Sequence, residues 1–576
     1  MGVNGIYGLS GSGMDIESLV KVGMMSKQNE YDKMAQKYTK NEWMKSDYLN
    51  ISNTITTFNN STLHDYKLSS SMNAKIAESN NSAVKVSAGS SASNATHRVE
   101  VESLSTNAYL ISTATNITRL NSSEPQSADL KDVLFSSFSV DEEAGTVTYT
   151  TKTVGGKDRT VTNSLDDTAF SFTLSNGTDD PKEISFTFKE INDGASLNNL
   201  ASKIKNSGLN ITASYDADND TFFISNTKSG AGNDISISVS GSNPKNSNGA
   251  IVYSATNTMR FFNSLGLTQS ENGELTGSAL SFSKTSLSQS VYGEDGHIKV
   301  DGKTYTLTDN KATVDGVTYT ALDTTKDASG NRRIATVTIT QDTDAIIDKV
   351  KSFVSDYNKL LSSLYEKYDE KADSNYKPLT QSQKDSMKED QIEKWEEKAK
   401  KGMLYHDQTL GKIIQNMRTA VSSKVEGLDS DYNSIFSLGI STTGLKGQLV
   451  LDEDKLKKAL SEDSEAVYNV FAKLGNQTKT VNGQQVEDTS YNGIAQRLGD
   501  IFTEATKSIR TRAGSTSDIT EDSDLNNLMR NLQTRMSNFK RMMNSFEDAL
   551  YKKYDKMESM LAKLGTQLSF VMGGNS

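Results

Sequence analysis

Three aspartates at alternate positions, Asp216, Asp218 and Asp220, have the spacing in this chain that most resembles a functional site. Carboxylates at that spacing open the loops that bind calcium, because alternate side chains turn toward the same ion. Such a loop also needs glycine at its sixth position and glutamate at its twelfth, where this sequence has Thr221 and Thr227. The aspartates are therefore predicted to form the turn of a β-hairpin.

Two glycine-rich patterns near the N-terminus also lack a required residue. Gly11-Ser12-Gly13 begins a dinucleotide-binding fingerprint, but Ile16 stands where the third glycine is required, and no strand precedes the pattern. Gly8-Leu9-Ser10-Gly11-Ser12 resembles the nucleophile elbow of hydrolases, but that turn requires glycine in place of Ser12. Neither a nucleotide cofactor nor a serine nucleophile is predicted.

The four histidines and the absence of cysteine also argue against catalysis. Metal-binding histidines have short, regular spacing, whereas His64, His97, His297 and His406 lie in separate segments. Asp407 is predicted to cap the helix that follows it, rather than to act with His406 as an acid–base pair. Without cysteine the chain has no disulfide, thiolate metal ligand or thiol nucleophile. The sequence predicts no catalytic residue, no cofactor and no metal site, and hence a protein that is not an enzyme.

Charge and hydropathy exclude further classes of protein. The chain has 73 acidic and 62 basic residues and no basic stripe of domain size, so nucleic acid is not predicted as a partner. No apolar run reaches the length of about 18 residues that spans a membrane, and Met1–Gly13 lacks the features of a secretory signal. Only 4 prolines occur, which favours long uninterrupted helices.

Long amphipathic helices are predicted at both ends of the chain. Asp15 is placed to cap the first helix, and apolar residues follow at intervals of three and four as far as Phe58. In the second helix, apolar residues lie seven apart up to Phe546, slip by four to Leu550 and then resume, which is a coiled-coil stutter. We predict that these helices pack with each other and with partners through Ile16, Leu19, Val20, Met24, Leu532, Phe539, Phe546, Leu550, Met557 and Leu564.

The interior is predicted to be rich in strands up to about residue 340 and helical beyond it. Residues 184–239 predict a strand, a helix and a hairpin in succession, and strong helical periodicity returns at Asp344. The charge-dense segment 376–401 is predicted to be a solvated helix or a loose insertion. The predicted fold class is an elongated, multidomain α+β protein with a coiled-coil leg of terminal helices, a helical-bundle domain and centrally inserted β-rich head domains.

Several stretches of the sequence match the motifs of one protein family. They are Gly8–Val20, His97–Leu104, Phe353–Leu360 and the segment Leu438–Phe471. The matching motif residues in the last two stretches are Phe353, Tyr357, Asn358, Leu438, Gly439, Gly447 and Asp452. Together these stretches resemble the bacterial flagellar filament cap proteins, also called the flagellar hook-associated protein 2 family. Residues 184–239 separately resemble the module found in the outer domains of flagellins and hook-associated proteins.

The order of the elements and this resemblance together predict four regions. The terminal coiled-coil leg comprises residues 1–45 and 530–576, and a helical leg domain comprises residues 46–78 and 343–529. A β-rich head domain comprises residues 79–115 and 275–342, and an outer head domain comprises residues 116–274 with the module at 184–239.

The resemblance implies a cap at the filament tip that forms an oligomeric ring, promotes folding and polymerisation of exported flagellin, and is required for filament elongation. Implied partners are flagellin, a ring of about four to six copies of the chain with five favoured, the hook–filament junction protein, and a cytoplasmic export chaperone on the C-terminal helix. The implied location is extracellular, after export by the flagellar type III system without a cleaved signal. Two alternatives stay open: another axial protein, such as flagellin or the junction protein, and a cap that also binds mucin or host cells.

Overall fold

The computed structural model describes residues 15–112, 117–152, 157–239, 243–265, 268–269, 287–327, 329–515 and 522–572. Of the predicted opening motif Gly8–Val20, the part before Asp15 lies outside these ranges. Contacts divide the chain into a first unit, Met1–Ala74 with Gln341–Ser576, and a second unit, Lys75–Thr340. Long terminal helices and a central region rich in β-sheet confirm the predicted α+β class.

The N-terminal part of the first unit is helical. Its elements are α1 (Ile16–Thr57), a π-helical turn (Phe58–Thr62), α2 (Leu63–Tyr66) and α3 (Ser69–Met72). The backbone N–H of Ser18 donates to the Asp15 carboxylate at 3.0 Å, which satisfies a free donor at the start of α1. The predicted cap is therefore confirmed.

The second unit alternates strands with short helices. In chain order its elements are β1 (Lys75–Ser79), β2 (Val84–Ala88), β3 (Ala95–Ser103), β4 (Asn107–Ile111), α4 (Leu130–Leu134), β5 (Ser137–Asp141), β6 (Thr146–Lys152), β7 (Asp158–Ser164), β8 (Thr168–Ser175), β9 (Lys182–Thr187), α5 (Phe188–Asn192), α6 (Leu197–Lys205), β10 (Ile211–Asp216), β11 (Thr221–Ser229), β12 (Ile235–Val239), α7 (Ser254–Leu265), β13 (Thr268–Gln269), β14 (Leu287–Val291), β15 (Gly296–Val300), β16 (Lys303–Leu307), β17 (Lys311–Val314), β18 (Val317–Ala321) and β19 (Ala335–Gln341).

Two hydrophobic cores stabilise the second unit. One lies between the sheet β1-β19-β3-β15-β16 and the sheet β17-β18-β2, and it contains Val99, Val101 and Ile298. The other contains a cluster of aromatic rings, and it joins helices α4–α7 to the sheets β10-β11-β4-β13, β14-β12-β8-β9 and β5-β6-β7. Val99 and Val101 both face this core, because the side chains on one face of a strand recur at every second position.

Residues 184–239 have a strand, helices and a hairpin in the predicted order. The segment begins with β9, continues through α5 and α6, and forms the antiparallel hairpin β10–β11 before β12. The Thr187 side chain caps α5 and the Ser196 side chain caps α6, each in a reciprocal capping box. The predicted turn Asp216–Asp220 connects the two hairpin strands, with Asp216 paired to Thr221.

Asp220, at the end of this turn, forms a largely buried ion pair with Arg119. The Arg119 guanidinium donates to both carboxylate oxygens, through Nη1 to Oδ2 and through Nη2 to Oδ1 at 2.7 Å. The Ile117 amide and the Tyr215 hydroxyl also donate to this carboxylate, at 2.8 and 2.9 Å. Burial alone would raise the pKa of Asp220, but these hydrogen bonds outweigh it and hold that pKa below its ordinary value. The carboxylate therefore anchors residues 117–119 to the hairpin.

Asp220→Asn is expected to lower the free energy of unfolding of the second unit by about 2 kcal/mol at neutral pH, because charged hydrogen bonds to Arg119 are lost. Asparagine tolerates the left-handed backbone at this position, where φ is +49°, so the turn itself should persist. The folded-state pKa of Asp220 is depressed, so its contribution is present above about pH 4 and is lost as the pH falls through the folded-state value.

The measurement is urea denaturation followed by circular dichroism at several pH values. Asp218→Asn is the matched control, because Asp218 is exposed in the same turn. We expect the difference between wild type and Asp220→Asn to shrink toward acid pH and the control to match wild type throughout. An equal loss of stability in both variants would contradict the role given to Asp220.

The C-terminal part of the first unit returns to helices with two small hairpins. Its elements are α8 (Thr343–Asp369), α9 (Gln381–Asp385), α10 (Glu389–Ala399), α11 (Gln408–Ser422), β20 (Ile440–Thr443), β21 (Gln448–Leu451), α12 (Glu453–Glu462), α13 (Ala466–Phe471), β22 (Thr478–Val481), β23 (Gln484–Glu487), a 3-10 turn (Thr489–Tyr491), α14 (Ile494–Ala513) and α15 (Asp524–Met572). The Asp407 carboxylate accepts from the Leu410 amide at 2.9 Å, which confirms it as the cap of α11.

The charge-dense segment 376–401 is packed rather than loose. Trp395 is half-buried on α10, donates its indole N–H to the Lys377 carbonyl at 2.8 Å and lies edge-on to Tyr376. The side-chain amide of Gln36, on α1, donates to the Pro378 carbonyl at 2.8 Å. This contact ties the segment to the middle of α1 and excludes a loose insertion. The other predicted alternative, a solvated helix, fits α10, in which only Ala399 is buried.

Candidate partner-docking surface

The two terminal helices pack against each other in antiparallel orientation. Gly23 of α1 faces Leu550 of α15 so closely that a Cβ at position 23 would lie 2.8 Å from the Leu550 Cδ1. Further along α1, the Lys27 ammonium lies 5.8 Å from the ring centre of Phe539, which comes earlier in α15. Residue numbers thus rise along one helix as they fall along the other. The prediction that the two ends of the chain pack with each other is confirmed.

Burial divides α15 into a covered half and an exposed half. The buried apolar side chains are Leu525, Met529, Leu532 and Met543. Beyond Met543 no described apolar side chain of α15 is buried, and Leu564 and Leu568 are 60% and 62% exposed. Large exposed apolar patches on a protein surface mark sites of interaction with other molecules. The second half of α15 is therefore the candidate docking surface.

The ten predicted interface residues differ in exposure. The buried ones are Val20 and Leu532. The partly buried ones are Ile16, Met24, Phe539 and Leu550. The exposed ones are Leu19, Phe546, Met557 and Leu564. The exposed group keeps apolar area that a partner could cover, and the binding role of all ten residues stays a prediction.

The motif residues Phe353 and Tyr357 lie in the core of the first unit rather than on its surface. The Phe353 ring meets Tyr66 of α2 edge-on at 5.3 Å and Phe471 of α13 edge-on at 4.9 Å between ring centres. Tyr357 is also buried, and burial raises the pKa of its hydroxyl above the ordinary value. These aromatic contacts hold α8 against α2 and α13.

Asn358 fixes the hairpin β20–β21 to α8. Its side-chain N–H donates to the Leu449 carbonyl at 2.8 Å, and the Leu449 amide donates to the Asn358 Oδ1 at 2.8 Å. The side-chain amide therefore pairs with β21 as the backbone of a neighbouring strand would. A carboxylate or an alkyl group could make at most one of these two bonds.

The remaining motif residues shape the hairpin and the start of α12. Gly439 and Gly447 have φ of +86° and +75°, a conformation that favours glycine. A Cβ at Gly439 would lie 2.7 Å from the Lys455 Cβ, so that position also lacks space. Asp452 caps α12 by accepting from the Lys455 amide, and this hydrogen bond lowers the pKa of the carboxyl. Leu438 is fully buried, so all seven motif residues build the fold.

The models of two sequence families match opposite ends of the chain. The flagellar hook-associated protein 2 N-terminus matches residues 12–108, and the flagellar hook-associated protein 2 C-terminus matches residues 293–566. Together they cover more than half of the sequence. The chain belongs to the flagellar hook-associated protein 2 family.

Individual members of this family align with most or part of the chain. Flagellar hook-associated protein 2 of Halalkalibacterium halodurans is 24% identical over 96% of this chain and 97% of its own length. The Thermotoga maritima protein of the same name is 30% identical over 41% of this chain and 34% of its own length. The crystal structure of the flagellar cap protein FliD D1-D2-D3 domains from Escherichia coli has a TM-score of 0.46 and 16% identity, and covers 84% of this chain and 99% of that chain.

Arg497, on α14, is a structural residue of this family member that sequence reasoning missed. Its side chain is only 7% exposed and donates to five backbone carbonyls in two neighbouring segments, 420–424 and 490–492. The acceptors are Ala420, Ser423, Lys424, Ser490 and Asn492. The helix itself could have been predicted, because Ile494, Leu498, Phe502, Ala505 and Ile509 follow helical spacing.

No helix in the described ranges combines the length and the hydropathy needed to cross a bilayer.

Proposed function

We propose that this chain forms an oligomeric cap at the tip of the bacterial flagellar filament and promotes the folding and polymerisation of exported flagellin beneath it. The observation that carries the proposal is the match of both ends of the chain to flagellar hook-associated protein 2. The exposed apolar half of α15 supports the proposal, because a cap must bind the filament through surfaces that are exposed in the free chain. The proposed role is structural and involves no catalysis.

Each predicted region of the chain is assigned to one part of the proposed cap. The terminal helices, residues 1–45 and 530–576, would form legs that dock on the filament, and residues 46–78 with 343–529 would form the upper part of each leg. The β-rich regions, 79–115 with 275–342 and 116–274, would form the plate of the cap. Antiparallel contact between Gly23 and Leu550 supports a leg built from both chain ends.

The proposal names partners and a place. The partners are flagellin, further copies of this chain in a ring, the hook–filament junction protein and an export chaperone that covers the C-terminal helix inside the cell. The place is the extracellular tip of the flagellum, which the chain would reach through the flagellar export system. The exposed apolar stripe of α15 supports the proposal of a chaperone, because this stripe would be open to other proteins until the cap assembles.

Deleting the gene in its own host is the decisive experiment. We expect the deletion strain to lose motility and filaments and to release unpolymerised flagellin into the medium, and the full-length gene to restore both. Immunoblots of medium and of sheared filaments measure the two flagellin pools. If flagellin were absent from both pools, the chain would be needed for supply of the filament subunit, and the cap proposal would be wrong. Normal filaments in the deletion strain would also contradict it.

A further inference from the structure

The exposed half of α15 carries a regular coiled-coil pattern that no helix in the described part of the chain covers. Tyr554, Met557, Leu561, Leu564 and Leu568 alternate at spacings of three and four residues, and we call them the distal seam. This spacing is that of the a and d positions of a heptad repeat, with Leu564 at d and Leu568 at a. The seam continues the stripe that packs against α1, but α1 begins only at Ile16, opposite the start of the seam. Its shape therefore fits another helix with the same repeat.

Charges beside the distal seam indicate which helix fits. In this register Lys553 takes a g position and Glu558 takes the e position five residues later. In a parallel pair of identical helices, a g residue faces the e residue five positions further along the partner, so Lys553 would face Glu558 of a second copy. An antiparallel pair would instead place Lys553 against the uncharged g residues Met560 or Gln567. Neither Lys553 nor Glu558 has an ion pair within the described part of the chain.

We propose that the distal seam pairs in parallel with the distal seam of a second copy of this chain. The inference rests on the proposed cap, since the seam is only about two heptads long and isolated helices of that length are marginal in water. An oligomer that holds two legs side by side raises their effective concentration and makes a weak pair form. Pairing removes the exposed leucines from water in the free cap, and docking on a filament then exchanges one helix partner for another.

Cysteine cross-linking tests the pairing directly, because the natural chain contains no cysteine. In a parallel pair, Leu564→Cys places two thiols at one d position, where the Cα separation suits a disulfide. Ser559→Cys is the matched control, because Ser559 lies at the f position on the opposite side of the helix. After mild oxidation of the full-length oligomer, we expect Leu564→Cys to give disulfide-linked dimers at several times the yield of Ser559→Cys.

Charge reversal then tests the orientation. In the Leu564→Cys background, Lys553→Glu should reduce the dimer yield, and adding Glu558→Lys should restore it, because the two reversed charges again face each other. Equal yields from Leu564→Cys and Ser559→Cys would overturn the pairing, and they are the result expected if residues 1–14 or another protein covers the seam. Failure of the double reversal to restore the yield would overturn the parallel orientation.

The same samples separate this inference from the proposed function. Light scattering gives the number of subunits, and expression in the deletion strain gives motility. A ring that restores motility without seam cross-links would contradict only the pairing of the distal seam. A monomeric chain that does not restore motility would contradict the cap itself.

Discussion

Replacing Arg497 with methionine is expected to lower the free energy of unfolding of the first unit by about 3 to 5 kcal/mol, since each orphaned buried acceptor costs about 1 to 3 kcal/mol. The guanidinium joins the end of α11 to the 3-10 turn and the start of α14, with its strongest contacts to Lys424 and Asn492 at 2.8 Å. Methionine fills a similar volume but donates no hydrogen bond. Arg497→Lys should recover only part of the loss, because an ammonium lacks the planar fork that reaches several carbonyls at once.

Tryptophan fluorescence during urea denaturation measures this effect on the correct unit. Both tryptophans of the chain, Trp43 and Trp395, lie in the first unit, so their signal follows its unfolding. Lys507→Met is the matched control, because Lys507 lies on the same helix with its side chain 74% exposed and forms only a surface ion pair with Glu504. The control should shift stability by less than about 0.5 kcal/mol. If Arg497→Met were as stable as this control, the assigned hydrogen bonds would not hold the three segments together.

Local sequence patterns predicted the terminal helices well. Leu532, Phe539 and Phe546 lie seven residues apart, which places them on one face of a helix. This periodicity is sufficient to predict α15 from the sequence. The caps at Asp15 and Asp407 were equally local, because each carboxylate binds an amide three residues away. Features of this kind depend on neighbours in sequence, and they are confirmed without exception in these elements.

Contacts between distant segments could not be predicted from the sequence. Asp220 appeared as one of three similar aspartates, yet it alone binds Arg119, which lies 101 residues away. Nothing near Asp220 distinguishes it from Asp218, because the distinction arises from the distant segment 117–119 that lies beside the turn. The sequence left the charge-dense segment open between a solvated helix and a loose insertion for the same reason: its anchor, the contact from Gln36 to the Pro378 carbonyl, spans 342 residues.

The sequence predicted the apolar stripe of α15, but only the structure shows which part of that stripe is covered and which part is exposed. Leu532 and Leu564 both belong to seven-residue repeats, on either side of the stutter, yet Leu532 is 4% exposed and Leu564 is 60% exposed. The difference depends on where α1 begins along α15, which periodicity alone does not give. Resemblance to a family likewise marked Asn358 without showing that its amide pairs with the backbone of β21.

Phe353→Ala is expected to lower the free energy of unfolding of the first unit by about 3 to 5 kcal/mol. Phe353 is fully buried between α2 and α13, so the substitution removes its contacts with Tyr66 and Phe471 and leaves a cavity. Phe353→Leu should cost much less, because most of the volume is kept. The measurement is again urea denaturation followed by tryptophan fluorescence.

Phe436→Ala makes the same chemical change at a site that is 48% exposed in the same unit, and it should cost far less stability. Comparing Phe353→Leu with wild type in the deletion strain then separates two possible roles of a motif residue, one in the fold and one in contact with a partner. If Phe353 acts through the fold, Phe353→Leu should keep both the oligomer and motility while unfolding at lower urea concentration than wild type. Loss of motility in Phe353→Leu at unchanged stability would mean that this residue contacts a partner during assembly. The burial of Phe353 favours the first outcome, because a side chain enclosed by α8, α2 and α13 reaches no partner unless the unit opens.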